Sequence, residues 1–200
     1  MSDDAGSVSV RRPRMTEARM TDLLLAALDA LCEVGYEDLT MDQIASRARC
    51  SKATLYRLWP GKPQLVAAAL HLTRPLKVEE IDTGTLRGDL LMLAELLAVY
   101  AERATALFSA LAHAAFTDDE LATAVRTTMV EPGFADLVGL VDRAVERGEL
   151  PARPAATAFL PKLLIGVTIT RPLFEGGHLA DADYLTRCVE DVLLPALLHS

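Results

Sequence analysis

The fold is decided by the segment SKATLYRLWPGK, Ser51–Lys62, together with TMDQIASRA, Thr40–Ala48. Each segment opens on a hydroxyl residue that can cap a helix, and Thr40 with Gln43 has the spacing of a capping box. The Pro-Gly pair at 60–61 stops the second helix. The pattern predicts two short helices joined by a tight turn, which is the arrangement of a helix-turn-helix.

A longer supporting helix is expected before this segment, from about Thr16 to a C-cap at Gly35. Its apolar residues recur at helical spacing; they are Met20, Leu24, Ala27, Leu28 and Leu31. A fourth helix is expected to begin at Pro63, which suits a first helical turn, and to continue through Leu70.

The composition predicts an all-α protein, because aromatic residues make up only 5% of the whole chain and the core must come from Leu, Ala and Val. The later helices are expected near Thr85–Arg103, Thr105–Phe116, Asp118–Met129, Gly133–Arg147, Ala155–Phe174 and Asp183–Leu198, with a second capping box at Thr117 and Glu120. The predicted organisation is an arm at 1–14, a three-helix helix-turn-helix domain at 15–62, and a larger helical ligand-binding and dimerisation domain at 63–200.

Cations gather around the helix-turn-helix although the net charge of the protein is −8. No acidic residue occurs between Asp42 and Glu79, and that interval holds Arg47, Arg49, Lys52, Arg57, Lys62, Arg74 and Lys77. Such a run on an acidic protein is typical of a nucleic-acid footprint, and a solvated cationic face is the alternative.

The start of the second short helix is small and polar, as a recognition helix entering the major groove requires. Lys52 can donate to guanine O6 or N7, and the Ala53 methyl can pack on a thymine methyl. Hydroxyls and cations around it suit phosphates. The predicted DNA-binding residues are Thr40, Arg49, Ser51, Lys52, Ala53, Thr54, Tyr56, Arg57 and Lys62.

These segments, with Trp59 and Lys62 after them, resemble the second helix and the recognition helix of the TetR family of regulators. The resemblance covers about Thr16–Leu70 and implies an all-α homodimer on double-stranded DNA with a palindromic operator. It also implies a small-molecule pocket in the C-terminal domain, and a four-helix bundle in which the last two helices pair with those of a partner. It favours a repressor that a small molecule releases from DNA.

Arg49 and Cys50 depart from this resemblance, since the family usually has Gly then Val between the two helices. Arg49 then either adopts a left-handed conformation, which costs an ordinary residue about 1 kcal/mol, or is there to reach a phosphate.

The C-terminal domain offers candidates for a pocket that would take an apolar or amphipathic effector. They are Met92, Tyr100, Phe108, His113, Met129, Phe134, Phe159, Arg171 and Phe174. Plain core packing is the alternative for the apolar ones, a core or interface role for His113, and a salt bridge for Arg171.

An apolar stripe on the final helix predicts a dimer interface, with the protein's own core as the alternative cover. Its members are Leu185, Val189, Val192, Leu193, Ala196 and Leu197.

Other classes of protein fit less well. The four histidines lack metal-ligand spacing and no Gly-rich phosphate loop occurs, so neither an enzyme nor a cofactor is expected. A helical ligand-binding or adaptor protein without DNA binding remains the alternative function.

An odd cysteine count favours a reducing cytoplasm, and no apolar run approaches the roughly 20 residues of a membrane span.

Overall fold

A computed structural model describes residues 16–72 and 78–200, and this described part is helical without strands. The predicted all-α class is therefore confirmed. The predicted arm at 1–14, and Arg74 and Lys77, lie outside the described residues. In the parts of the chain that the structure describes, no helix is both long enough and apolar enough to cross a membrane.

The first four helices form one unit around a shared core. They are α1 (Glu17–Asp38), α2 (Met41–Arg47), α3 (Lys52–Leu58) and α4 (Lys62–Leu72). Thr16 caps α1 by accepting from the backbone N–H of Arg19, and Gly35 interrupts its last part with φ 76°. Leu28, Ile44 and Leu55 are fully buried between α1, α2 and α3. Leu65 of α4 belongs to the same core, so the apolar packing continues past residue 62 into α4.

A single long helix, α5 (Leu86–Thr117), replaces the two helices predicted at 85–103 and 105–116. Ala104 continues the helix, as its high helix propensity allows. The capping box predicted at Thr117 is wrong, because α5 runs through that residue and its hydroxyl donates to the carbonyl of His113 (3.1 Å). Asp118 instead ends α5 and caps α6 by accepting from the N–H of Leu121 (2.9 Å).

Further helices follow α5, and two of the junctions between them are π turns that the sequence pattern does not show. They are α6 (Asp119–Val125), α7 (Glu131–Glu146), α8 (Leu160–Phe174), α9 (Ala182–Cys188) and α10 (Leu194–Leu198). Arg126–Val130 joins α6 to α7 as a π turn, and Val189–Leu193 joins α9 to α10 in the same way. Pro132 and Pro195 stand just beyond these turns. Because proline has no N–H to donate four residues back, the turn widens and leaves a carbonyl without its helical partner.

A second core lies between the first half of α5 and helices α7 to α10, with short 3-10 turns at Val78–Glu80 and Ala155–Ala158 beside it. Asp89 is fully buried at its edge, where its carboxylate accepts from Arg147 (3.0 Å) and from the backbone and hydroxyl of Thr83. This buried charge is fully partnered, so it fixes the start of α5 against the end of α7.

Candidate nucleic-acid interface

The start of α2 is held by the capping box that the sequence predicts. The side chain of Gln43 accepts from the backbone N–H of Thr40 (2.7 Å), and the Thr40 hydroxyl accepts from the N–H of Gln43 (3.2 Å). Both residues are exposed. The capped helix start, with its partial positive charge, therefore faces solvent.

The turn between α2 and α3 is a Schellman motif built on a non-glycine residue. The N–H of Cys50 donates to the carbonyl of Ala45 (2.9 Å), and the N–H of Arg49 donates to that of Ser46 (3.1 Å). Arg49 has φ 48°, which is the left-handed conformation and one of the two alternatives that its sequence position allows. Its side chain is exposed beside α3, so adopting this backbone does not prevent it from reaching a phosphate.

Arg19 of α1 holds this turn from outside, a role that no sequence pattern indicates. Its Nη2 donates to the carbonyls of Ala48 (2.5 Å) and Arg49 (3.1 Å). These carbonyls follow the last turn of α2, where a positive charge is favourable. The contact joins residues about thirty positions apart in the chain, so no local pattern could have indicated it.

Helix α3, which the sequence predicts to be a recognition helix, exposes the residues predicted to contact DNA. Ser51 caps it by accepting from the N–H of Thr54 (3.2 Å), while Leu55 is fully buried and anchors the inner face. The outer face presents Ser51, Lys52, Ala53, Tyr56 and Arg57, all exposed, with Thr54 half-buried. The structure thus brings these predicted residues together on one surface, next to Thr40 and Arg49.

Three cations of this region have partners within the protein. Lys52 Nζ forms an ion pair with Asp42, and Arg47 forms one with Glu33. Lys62, which the sequence predicts to bind phosphate, donates instead to the backbone carbonyl of Tyr36 (2.7 Å) and lies 4.1 Å from the centre of its ring. Lys62 is half-buried there, so a phosphate would have to compete with two existing contacts.

Tyr36 also ties this unit to the junction of α5 and α6. Its hydroxyl donates to Asp118 Oδ2 (3.1 Å). Burial, and then this hydrogen bond, raise the pKa of Tyr36 above its ordinary value. The backbone N–H of Leu121, and then the Tyr36 hydroxyl, lower the pKa of Asp118. Beside it, Gln64 of α4 donates to Glu120 of α6 (2.6 Å). These polar contacts surround an apolar one, because Leu121 of α6 is fully buried in the core of the first four helices.

Only part of the predicted effector pocket comes together. Met129 and Phe134 line an apolar cavity of about 150 Å³, whose other walls are Val78, Leu93, Leu97, Val130, Gly133, Leu137, Leu164 and Ile165. Tyr100 is half-buried and does not line this cavity. Five other candidates are exposed outside it: Met92, Phe108, His113, Phe159 and Phe174. The helical periodicity of the sequence shows which residues share an apolar face, but it does not show which of them another helix buries.

Arg171 takes the alternative role, that of a structural salt bridge. Its guanidinium donates to Glu175 (2.9 Å) and Asp181 (2.9 Å), and it stacks 4.1 Å from the centre of the Tyr184 ring. With these partners it closes the connection from α8 to α9.

The stripe predicted as a dimer interface is mostly interior, which corrects that prediction. Leu185, Val189, Leu193 and Leu197 are at most 2% exposed and belong to the second core. Of the stripe, only Val192 and Ala196 are exposed. Val192 lies about one helical turn before Ala196. Ala196 lines an apolar groove of about 180 Å³ together with Ala156, Phe159, Leu160, Leu163, Leu193 and Leu197.

Comparisons with known proteins cover nearly the whole chain. Residues 23–69 match the family model described as bacterial regulatory proteins, tetR family, and residues 80–192 match that of the tetracyclin repressor-like C-terminal domain. A DNA-binding transcriptional repressor TetR of Mycobacteroides abscessus is 36% identical over 180 residues, 89% of this chain and 93% of that protein. An uncharacterized HTH-type transcriptional regulator of Mycobacterium tuberculosis strain H37Rv is 34% identical over 189 residues, 94% of this chain and 92% of that protein.

Solved structures agree with this relationship. The crystal structure of the TetR family transcription regulator SCO0332 superposes with a TM-score of 0.67 at 26% identity, over 88% of this chain and 97% of that one. FadR from Bacillus subtilis in complex with stearoyl-CoA shares the fold, with a TM-score of 0.65 at 15% identity over 89% of this chain and 97% of that one. The chain therefore belongs to the TetR family of transcriptional regulators.

Proposed function

We propose that this regulator is a repressor that binds a palindromic operator as a homodimer and leaves it when an apolar small molecule occupies the C-terminal domain. The outer face of α3 is the main support for the proposed DNA binding. The Ser51 cap and the buried Leu55 turn Lys52, Ala53 and Tyr56 outward together. A helix that presents small and polar residues at its N-terminal end fits the major groove.

Phosphate contacts would come from the rim of this face. Arg49 and Arg57 are exposed and form no ion pair with any described residue. Thr40 adds a hydroxyl and an exposed helix start. These groups can neutralise phosphates on either side of the groove without reading sequence.

Dimerisation would use the outer surface of α8 and the last helix. Phe159 is 59% exposed, Val192 51% and Leu163 41%, which is a large apolar exposure for one region of a single chain. A partner subunit with the same surface would cover it around a two-fold axis. The two recognition helices would then lie about 34–36 Å apart, one turn of DNA.

The effector would enter the cavity beside Phe134. Its lining is apolar and its volume is about 150 Å³, a size that takes one aromatic ring without rearrangement. Met129 and Val130 of the π turn form one wall. The neighbouring carbonyl of Thr128 lies 2.9 Å from Nδ1 of His71 in the last turn of α4. A ligand that displaces the π turn would therefore pull on α4, which leads back to the recognition helix.

The experiment has two steps. Selection from a random duplex pool with the purified protein should recover a palindrome, and its affinity should then fall when a panel of lipophilic compounds is titrated. A coupling of about 1–3 kcal/mol corresponds to a loss of roughly 5- to 150-fold. An adaptor without DNA binding would recover no preferred sequence. Tight ligand binding without any change in operator affinity would remove the release mechanism and leave the DNA-binding assignment intact.

The site of action would be the cytoplasm, where DNA is accessible and the three cysteines, all unpaired in the structure, would stay reduced.

A further inference from the structure

The cation best placed to read a base is held by an acid from the neighbouring helix. Lys52 is the first residue of α3, and its ammonium forms an ion pair with the carboxylate of Asp42 in the first turn of α2. The side chains are 58% and 59% exposed, so both face the solvent that DNA would replace. The pair bridges the two helix starts across the Schellman turn.

A lysine at this position has no fixed orientation of its own, and the ion pair with Asp42 supplies one. Its ammonium sits on a flexible four-carbon stem, and three rotatable N–H donors make it a point charge with little directional preference. Reading guanine requires donors aimed at O6 and N7. A carboxylate that accepts one donor from the side restricts the stem and leaves two donors for the groove.

We propose that Asp42 is the positioning residue for Lys52: its carboxylate orients the ammonium toward the base edge and so sharpens sequence preference at one base pair of each half-site. This inference rests on the proposed insertion of α3 in the major groove. Asp42 contributes nothing favourable to phosphate binding, because its charge repels the DNA backbone. Its value to the protein then lies in specificity and not in affinity.

The test uses the full-length protein, the palindrome recovered by selection, and the same duplex substituted in turn at each base pair of the half-site. Asp42→Asn removes the charge and keeps the size of the side chain. It should lower discrimination at a single base pair by about threefold per half-site, the scale of an exposed ion pair. Lys52→Met should lower discrimination at that same base pair by about tenfold. Affinity for a duplex of unrelated sequence should not fall with Asp42→Asn, since no attractive contact to phosphate is lost.

Asp22→Asn is the matched control, because Asp22 is exposed on α1 and forms no ion pair with any described residue. It makes the same charge change and should leave every base preference as it is. In the Lys52→Met background, Asp42→Asn should have no further effect on discrimination, as expected if Asp42 acts through Lys52.

Three results would overturn the inference. Asp42→Asn could leave discrimination unchanged at the base pair that Lys52 reads. It could reduce discrimination equally at all positions, which would indicate a general disturbance of the helix-turn-helix. It could also keep its effect after Lys52 is removed. Failure of the selection to recover any preferred sequence would instead contradict the proposed function itself.

Discussion

Replacing Arg49 by glycine should stabilise this protein, although it deletes a side chain from the DNA-binding surface. Arg49 has φ 48° in the turn after α2. The left-handed region costs a residue with a Cβ about 1–2 kcal/mol. Glycine avoids that strain but loses about 0.4–1 kcal/mol through the larger freedom of the unfolded chain. The expected net gain is at most about 1.6 kcal/mol and centres on about 0.8 kcal/mol, which corresponds to a rise in Tm of about 2–3 °C for a chain of this size.

Arg49→Ala separates strain from charge. Alanine also deletes the cation but keeps a Cβ at φ 48°, so it should give no such gain. Calorimetry or urea unfolding, at one protein concentration because a dimer is expected, compares the two variants with the parent. In DNA titrations, both variants should flatten the salt dependence of binding equally, by up to about 0.9 in slope for each lost phosphate contact. A glycine variant no more stable than the alanine variant would refute the strain argument, and unchanged salt slopes would refute the phosphate contact.

Four further outcomes are expected. Lys62→Met should lower the free energy of unfolding and leave the salt dependence of DNA binding nearly unchanged, because Nζ already donates to the carbonyl of Tyr36. A flatter salt dependence without loss of stability, in paired melts and titrations, would instead indicate that Lys62 contacts phosphate. Leu163→Glu should give monomers by light scattering, since an unpaired carboxylate would be buried in the proposed interface, and a stable dimer would exclude that surface. Phe134→Trp should fill the apolar cavity and abolish effector release while operator affinity persists; retained release would place the effector elsewhere. The lowered pKa of Asp118 means that its contribution to stability is present above the pKa of the unfolded chain and is lost as pH falls through the folded value. Asp118→Asn should therefore flatten the fall in Tm below about pH 4, and an unchanged acid limb would contradict this.

The sequence by itself determined the local features of the DNA-binding unit. The caps at Thr16, Thr40 and Ser51 lie where hydroxyl residues precede apolar repeats, because capping satisfies backbone N–H groups within three residues of the cap. The sequence also places a tight turn at Arg49, but it leaves the conformation of that residue open, and the structure gives φ 48°. Interactions between residues this close in sequence can be predicted without knowledge of the tertiary structure.

Tertiary structure alone decided which side chains are available. The apolar stripe on the last helix indicates burial but not by what, and the structure places Leu185 and Leu193 in the protein's own core while Phe159 faces outward. The clamp of Arg19 on the turn, like the contact of Lys62 with Tyr36, joins residues distant in sequence. An apolar face gains free energy against any apolar cover, and a cation gains it from any nearby acceptor. The sequence therefore does not determine which group becomes the partner, and only the three-dimensional packing of α1 to α10 does.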